Sequence, residues 1–315
     1  MVLPEPEPIE IVTEDGFSLR GEVQLPDGAC AAACVLGHAM WVDRRTMDRP
    51  PGRGLMSTML AHGIACLRFD ARGHGQSTPH PRHGARFAYD HYVLYDAPAM
   101  VRAGRDRFGE LPLGLLGHSL MGHAAMIAAG LFPERAPDAL IGLGANLWLP
   151  RFESSRSRRL LKTAALGLWL AASYPRGHFD AKAWGLGSTG VPALFVEQYL
   201  RCWRRGRFET MDGRHDLIAA LGDVRVPVLS VSSQGDRVMG DPANVSAFAR
   251  NIPSRWLEEW IVDASMIDPP PGHMALVTSE RSRPLWERLA RWLLEHAGAR
   301  TMQAAGGPPV RPEAV

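Results

Sequence analysis

Only four cysteines occur in this 315-residue chain: Cys30, Cys34, Cys66 and Cys202. They form no C-x-x-C pair and are too few for a disulfide framework, which excludes a small stapled scaffold and a thiolate metal motif. Cys30 and Cys34 flank an apolar run and read as small buried hydrophobes. Charge of one sign is lacking too. Lys and Arg total 35 against 33 Asp and Glu, a net +2, which excludes a dedicated nucleic-acid binder. Lysine is nearly absent: Lys162 and Lys182 stand alone, a bias of composition. The longest apolar stretch, 163–174, falls well short of the roughly 20 residues a membrane span needs. The acidic, proline-broken start Met1-Val2-Leu3-Pro4-Glu5-Pro6-Glu7-Pro8 lacks the basic and apolar regions of a secretory signal. These absences predict a reduced, soluble, cytoplasmic protein. No Walker A sequence and no H-E-x-x-H occur. Gly185-Leu186-Gly187-Ser188-Thr189-Gly190 matches G-x-G-x-x-G, but no strand-like run precedes it, so no dinucleotide site is expected. His80-Pro81-Arg82-His83 has no carboxylate at ligand spacing and reads as a polar loop. Neither a metal nor a cofactor is expected.

Hydrophobic residues make up 46% and charged residues 22%, enough for a buried core and for one large domain or two ordinary ones. Runs at 9–13 and 19–25 around Asp15-Gly16 predict a hairpin. The short apolar runs 31–36, 64–69, 113–116, 140–143, 226–232 and 257–262 predict strands, most of them buried on both faces. Helical spacing occurs at 54–62, 89–108, 119–131 and 281–296. Repeated strand–helix–strand units predict an α/β fold: a mostly parallel central sheet with helices on both faces. The stretch 146–222 breaks this alternation. It is aromatic and helical in pattern, and residues 151–210 carry 11 basic and 4 acidic side chains. We read it as an inserted helical cap between core parts 1–145 and 223–300, with 301–315 as a disordered tail. Within the cap, Arg156, Arg158, Arg159 and Lys162 precede the apolar 164–174, the pattern of an amphipathic helix with a solvated basic end. A sharper reading has the cap shield an apolar acyl pocket and draw in an anionic group, or touch an anionic lipid surface.

The strongest chemical signal is Leu116-Gly117-His118-Ser119-Leu120-Met121-Gly122. It follows an apolar strand and opens a helix, the setting of a nucleophile elbow. A tight turn there projects the serine oxygen at the carboxyl end of the sheet, and the helix N-terminus behind it offers N–H groups to an oxyanion. The bland alternative is a strand-to-helix turn with a Ser N-cap. Gly117 meets the need for a small flanking residue; Met121 stands where a second glycine is usual, and Gly122 comes one residue later. Earlier strands end in Leu36-Gly37-His38-Ala39 and in Arg68-Phe69-Asp70-Ala71-Arg72-Gly73-His74-Gly75-Gln76-Ser77.

Together these motifs resemble the α/β-hydrolase superfamily, with its HGxxG-like loop and DxRGxGxS turn. The resemblance runs over 9–296. Residues 193–208, with Arg201-Cys202-Trp203-Arg204-Arg205, also resemble a group of bacterial α/β-hydrolases without an assigned substrate. The family order of a triad is Ser, then Asp or Glu, then His. The resemblance places the acid in Gln234-Gly235-Asp236-Arg237-Val238 and the base in Pro271-Gly272-His273-Met274, with Asp241 and Asp268 as rival acids. It implies Ser119 as nucleophile, His273 as general base and Asp236 as the group that orients it. Backbone N–H groups of Met40 and Leu120 would form the oxyanion hole, and His38 would support the loop before Met40. The expected activity is a carboxylesterase-like serine hydrolase acting on a small-molecule acyl substrate, an ester or a thioester. Met121, and Ala39 where the family has glycine, leave open a catalytically silent binding protein. An acyltransferase using the same acyl-enzyme is also open.

Overall fold

A computed structural model describes residues 5–304 of the chain. In chain order its strands are β1 (Glu7–Val12), β2 (Ser18–Gln24), β3 (Ala32–Gly37), β4 (Ile64–Phe69), β5 (Leu113–His118), β6 (Ala139–Leu143), β7 (His178–Phe179), β8 (Val191–Pro192), β9 (Val228–Ser233) and β10 (Leu257–Val262). The α-helices are α1 (Leu55–Ala61), α2 (Ala97–Phe108), α3 (Leu120–Leu131), α4 (Arg156–Ser173), α5 (Ala193–Arg205), α6 (Pro242–Ala249), α7 (Ala275–Thr278) and α8 (Arg283–Ala304). Eight strands form one sheet in the order β1-β2-β4-β3-β5-β6-β9-β10. The hairpin β1–β2 and the β2–β4 pair are antiparallel, and every other pairing is parallel.

The central strands β3, β5, β6 and β9 are buried at every residue, as strands covered by helices on both faces must be. One face packs Leu55, Met59, Trp286, Leu289 and Leu293 of α1 and α8; the other packs Met100, Ala124, Ile127 and residues of the inserted segment. The order of strands reverses between β3 and β5, because β4 lies on one side of β3 and β6 on the far side of β5. The crevice at such a reversal is where α/β sheets bind ligands. Met40 follows β3 and Ser119 follows β5, so chain topology alone puts them at that crevice.

The stretch 146–222 adds no strand to the large sheet. It holds α4, the two-residue ribbon β7–β8 and α5, whose inner face buries Phe195, Tyr199, Leu200 and Trp203. The basic end of α4 follows the solvated pattern predicted for it at Arg156 and Arg159, which are exposed, but departs from it at the other two positions. Lys162 is buried and Arg158 is only partly exposed, because both are paired with carboxylates. The helix predicted at 89–108 is a π-helical turn at Tyr92–Asp96 followed by α2. The helix predicted to end at 296 runs on to Ala304, so residues 301–304 are helical rather than tail, and 305–315 lie outside the described residues. No helix of the described residues is long and apolar enough to cross a membrane.

Candidate active site

Ser119 joins β5 to α3 with φ 50° and ψ −108°, a left-handed conformation that a residue with a side chain holds only when its surroundings impose it. Its N–H donates to the Leu143 carbonyl at 2.9 Å, and its own carbonyl accepts from the His123 N–H at 3.0 Å. The turn also demands close backbone approach. A Cβ on Gly117 would lie 2.4 Å from Gly122 N, and one on Gly122 would lie 2.6 Å from Gly117 O. Gly122 is therefore the second small residue of this elbow, although it comes one position later than the usual pattern. Met121 points to the neighbouring strand. A Cβ on Gly37 would lie 2.5 Å from Met121 Cβ, so the bare end of β3 makes the room that the methionine fills.

The structure joins two of the three residues expected to form a triad. His273 Nδ1–H donates to Asp236 Oδ2 at 2.5 Å. Burial would raise the Asp236 pKa, but the bond from His273 and backbone N–H groups of Gly240 and Met239 hold it below the usual carboxylate range. The rival acids lie elsewhere. Asp241 receives Arg158 at 3.0 Å and caps α6, and Asp268 is exposed. Ser119 is not hydrogen-bonded to His273, whose Nε2 is buried without a partner. The two are nonetheless neighbours. His118 Nε2–H donates to the His273 carbonyl at 3.1 Å, and Gly144, beside the Leu143 that holds Ser119, would put a Cβ 3.0 Å from His273 Cε1. Burial keeps the His118 pKa well below its ordinary value, so that ring stays neutral.

The loop carrying Met40 is held by two further buried imidazoles. His38 Nδ1–H donates to the Ala39 carbonyl at 2.7 Å, and its Nε2 accepts from the Ala71 N–H at 2.9 Å. His74 Nδ1–H donates to the Arg72 carbonyl, leaving Nε2 to accept from the Trp41 N–H at 3.1 Å. Burial pushes the His74 pKa down to about 3, so this acceptor is permanent. Trp41 has φ 68°, and its carbonyl accepts from the N–H groups of Ser188 and Thr189. The glycine-rich run at 185–190 thus straps the inserted segment to this loop; a Cβ on Gly187 would lie 2.3 Å from Trp41 O. The sequence motifs contain His74 and Gly187 but do not reveal what they hold, because Trp41, the partner of both, is remote in sequence.

Beside Ser119 lies a cavity of about 40 Å³ lined by Met40, Leu120, His123, Trp148, Trp169 and Tyr199, among others. Met40 and Leu120, the expected oxyanion donors, are both in its wall. Among the described residues no group of three or more His, Cys, Asp or Glu is placed to hold a metal ion.

Residues 53–185, which include Ser119 but neither Asp236 nor His273, match the family model described as Serine aminopeptidase, S33. Solved structures of similar fold include an esterase of Pyrococcus furiosus (19% identity, 93% of this chain and 92% of that one, TM-score 0.62). A soluble variant of the monoglyceride lipase of Saccharomyces cerevisiae, in complex with a substrate analogue, is 18% identical over 94% of this chain and 96% of its own, with TM-score 0.64. The esterase domain of a Rhodothermus marinus protein is 18% identical over 94% and 100%, with TM-score 0.57. No curated relative matches the sequence.

Proposed function

Since the chain has the α/β-hydrolase fold and its residues 53–185 match the Serine aminopeptidase, S33 model, we propose that it is a carboxylesterase-like serine hydrolase of the α/β-hydrolase superfamily working through Ser119, His273 and Asp236. The observation that carries this reading is the 2.5 Å contact of His273 Nδ1 with Asp236, next to a serine held at positive φ. Asp236 fixes the proton of His273 on Nδ1, so Nε2 offers its lone pair to the Ser119 hydroxyl. That nitrogen is buried and unpartnered, and a buried acceptor left unmet costs about 1–3 kcal/mol. The Ser119 hydroxyl is the partner this reading assigns to it; such contacts often close only when substrate binds.

In the reaction Nε2 takes the hydroxyl proton as Ser119 Oγ attacks the acyl carbon, and the C–O bond of the leaving alcohol breaks as His273 returns the proton to it. Water, deprotonated by His273, then releases the acid from Ser119. Backbone N–H groups of Met40 and Leu120 hold the oxyanion, each such donor being worth roughly 3–4 kcal/mol of barrier. The inserted segment is the cap, and its aromatic wall excludes water from the acyl group. A thioester suits the same chemistry.

The test is turnover of p-nitrophenyl esters of graded acyl length by the wild type and by Asp236→Asn. Wild-type hydrolysis with a loss of about 10⁴-fold in the variant supports the triad. Equal rates for the two proteins refute it.

A further inference from the structure

His123 stands one turn along α3 from Ser119, an imidazole the triad does not use. It is 4% exposed and lines the cavity beside Ser119. Its Nδ1 lies 2.8 Å from the Tyr89 hydroxyl, which has no other hydrogen-bond partner among the described residues. Tyr89 is fully buried, and burial pushes its pKa well up, so the phenol keeps its proton. A buried O–H must donate, and Nδ1 is the acceptor at hand. The imidazole proton therefore sits on Nε2. Burial also pushes the His123 pKa down to about 3, which leaves one fixed N–H donor on a neutral ring. Trp41, in the same wall, has a buried indole N–H with no partner. The rest of the lining is mostly apolar, with Trp148, Trp169, Phe195 and Tyr199 among it, and includes one side-chain amide, Asn146. A cavity of about 40 Å³ is far smaller than the roughly 300 Å³ or more of a drug-sized site, so the group it admits is short.

We propose that His123 Nε2–H, with the Trp41 indole N–H, binds an oxygen acceptor on the acyl chain of the substrate. The enzyme would then select short acyl groups bearing an ether, hydroxyl or keto oxygen at the third carbon over hydrocarbon chains of equal length. One helical turn, about 5.4 Å, separates His123 from the nucleophile, which suits an acceptor a few bonds beyond the reacting carbonyl. A hydrocarbon chain in the same place leaves both donors unmet, and sites built to hydrogen-bond a substrate discriminate strongly against analogues that cannot reply. This inference rests on the serine-esterase reading above.

The experiment compares kcat/KM for p-nitrophenyl 3-methoxypropanoate and p-nitrophenyl pentanoate, which differ by one oxygen for one methylene. The uncatalysed hydrolysis ratio of the pair is the reference. The wild type is expected to exceed that ratio by about 10-fold or more. His123→Phe should bring it back to the reference, and Trp41→Phe, available if the first variant does not fold, should lower it. A wild-type ratio equal to the reference, or a preference that both variants retain, overturns the proposal. Fluorophosphonate labelling of each sample separates the two readings. Labelled wild type without the preference refutes only the pocket assignment, whereas unlabelled, inactive wild type refutes both.

Discussion

Lys162 Nζ lies 2.8 Å from Glu153 Oε2, with both side chains almost wholly withdrawn from water. Glu153 also receives Arg158 Nε and Asn244 Nδ2, each at 2.8 Å, and Arg158 reaches on to Asp241 at 3.0 Å. The basic end of α4 is thereby fixed to α6 and to the loop that carries Asp236. Nothing in the local pattern of α4 announces this, because Glu153 and Asn244 are 91 residues apart.

Glu153→Gln is expected to destabilise the protein by about 3–5 kcal/mol, since it leaves the buried Lys162 charge without its counterion. Denaturant unfolding checks this. A change under about 1 kcal/mol would mean that the pair is not withdrawn from water in solution.

Acid should act through the same carboxylate. Burial alone would raise the Glu153 pKa, but the bonds from Lys162 and Arg158 hold it down to about 2, below its ordinary 4.5. The folded value is the lower one, so its stabilisation is complete above about pH 4.5 and is lost as the pH falls toward about 2. Unfolding curves across that window should slope more steeply for wild type than for Glu153→Gln. Parallel slopes would assign the acid sensitivity to other groups.

Met121→Gly restores the usual elbow spelling, yet no gain in activity is expected. Gly122 already makes the close approach to Gly117, and Met121 fills the space over Gly37. The substitution should cost about 3–5 kcal/mol, from the cavity left behind and from a glycine within a helix. A rise in kcat would show that Met121 obstructs the elbow.

His74→Phe removes the acceptor that holds the Trp41 N–H and so loosens the loop presenting Met40. A fall in kcat of about 10–100-fold is expected, with KM little changed, somewhat less than the loss of an oxyanion donor itself. A variant with wild-type kcat would remove His74 from any role in positioning this loop.

The architecture was largely legible in the sequence. The run 64–69 is β4 and 257–262 is β10, residue for residue, and β3, β5 and β6 fall within two residues of their predicted bounds. Strands buried on both faces announce themselves as unbroken apolar runs, and the hairpin by its Asp15-Gly16 turn. Motifs in the loops after strands single out Ser119, Asp236 and His273 as candidates, and the structure pairs His273 with Asp236. What stayed hidden depends on contacts between distant segments. Gly37 receives Met121, Tyr89 fixes the proton on His123, and the glycine-rich run takes hold of the Trp41 carbonyl. Charge pattern misled at Lys162, because a basic cluster on a helix end looks the same whether water or a buried carboxylate receives it.

The most direct measurement is fluorophosphonate labelling of the intact protein, with the modified peptide identified by mass spectrometry. Wild type should carry one adduct, on Ser119, and Ser119→Ala should carry none while unfolding at a temperature close to that of wild type. A folded wild type that takes up no label, or a label that persists in Ser119→Ala, would contradict the assignment of Ser119 as the activated nucleophile.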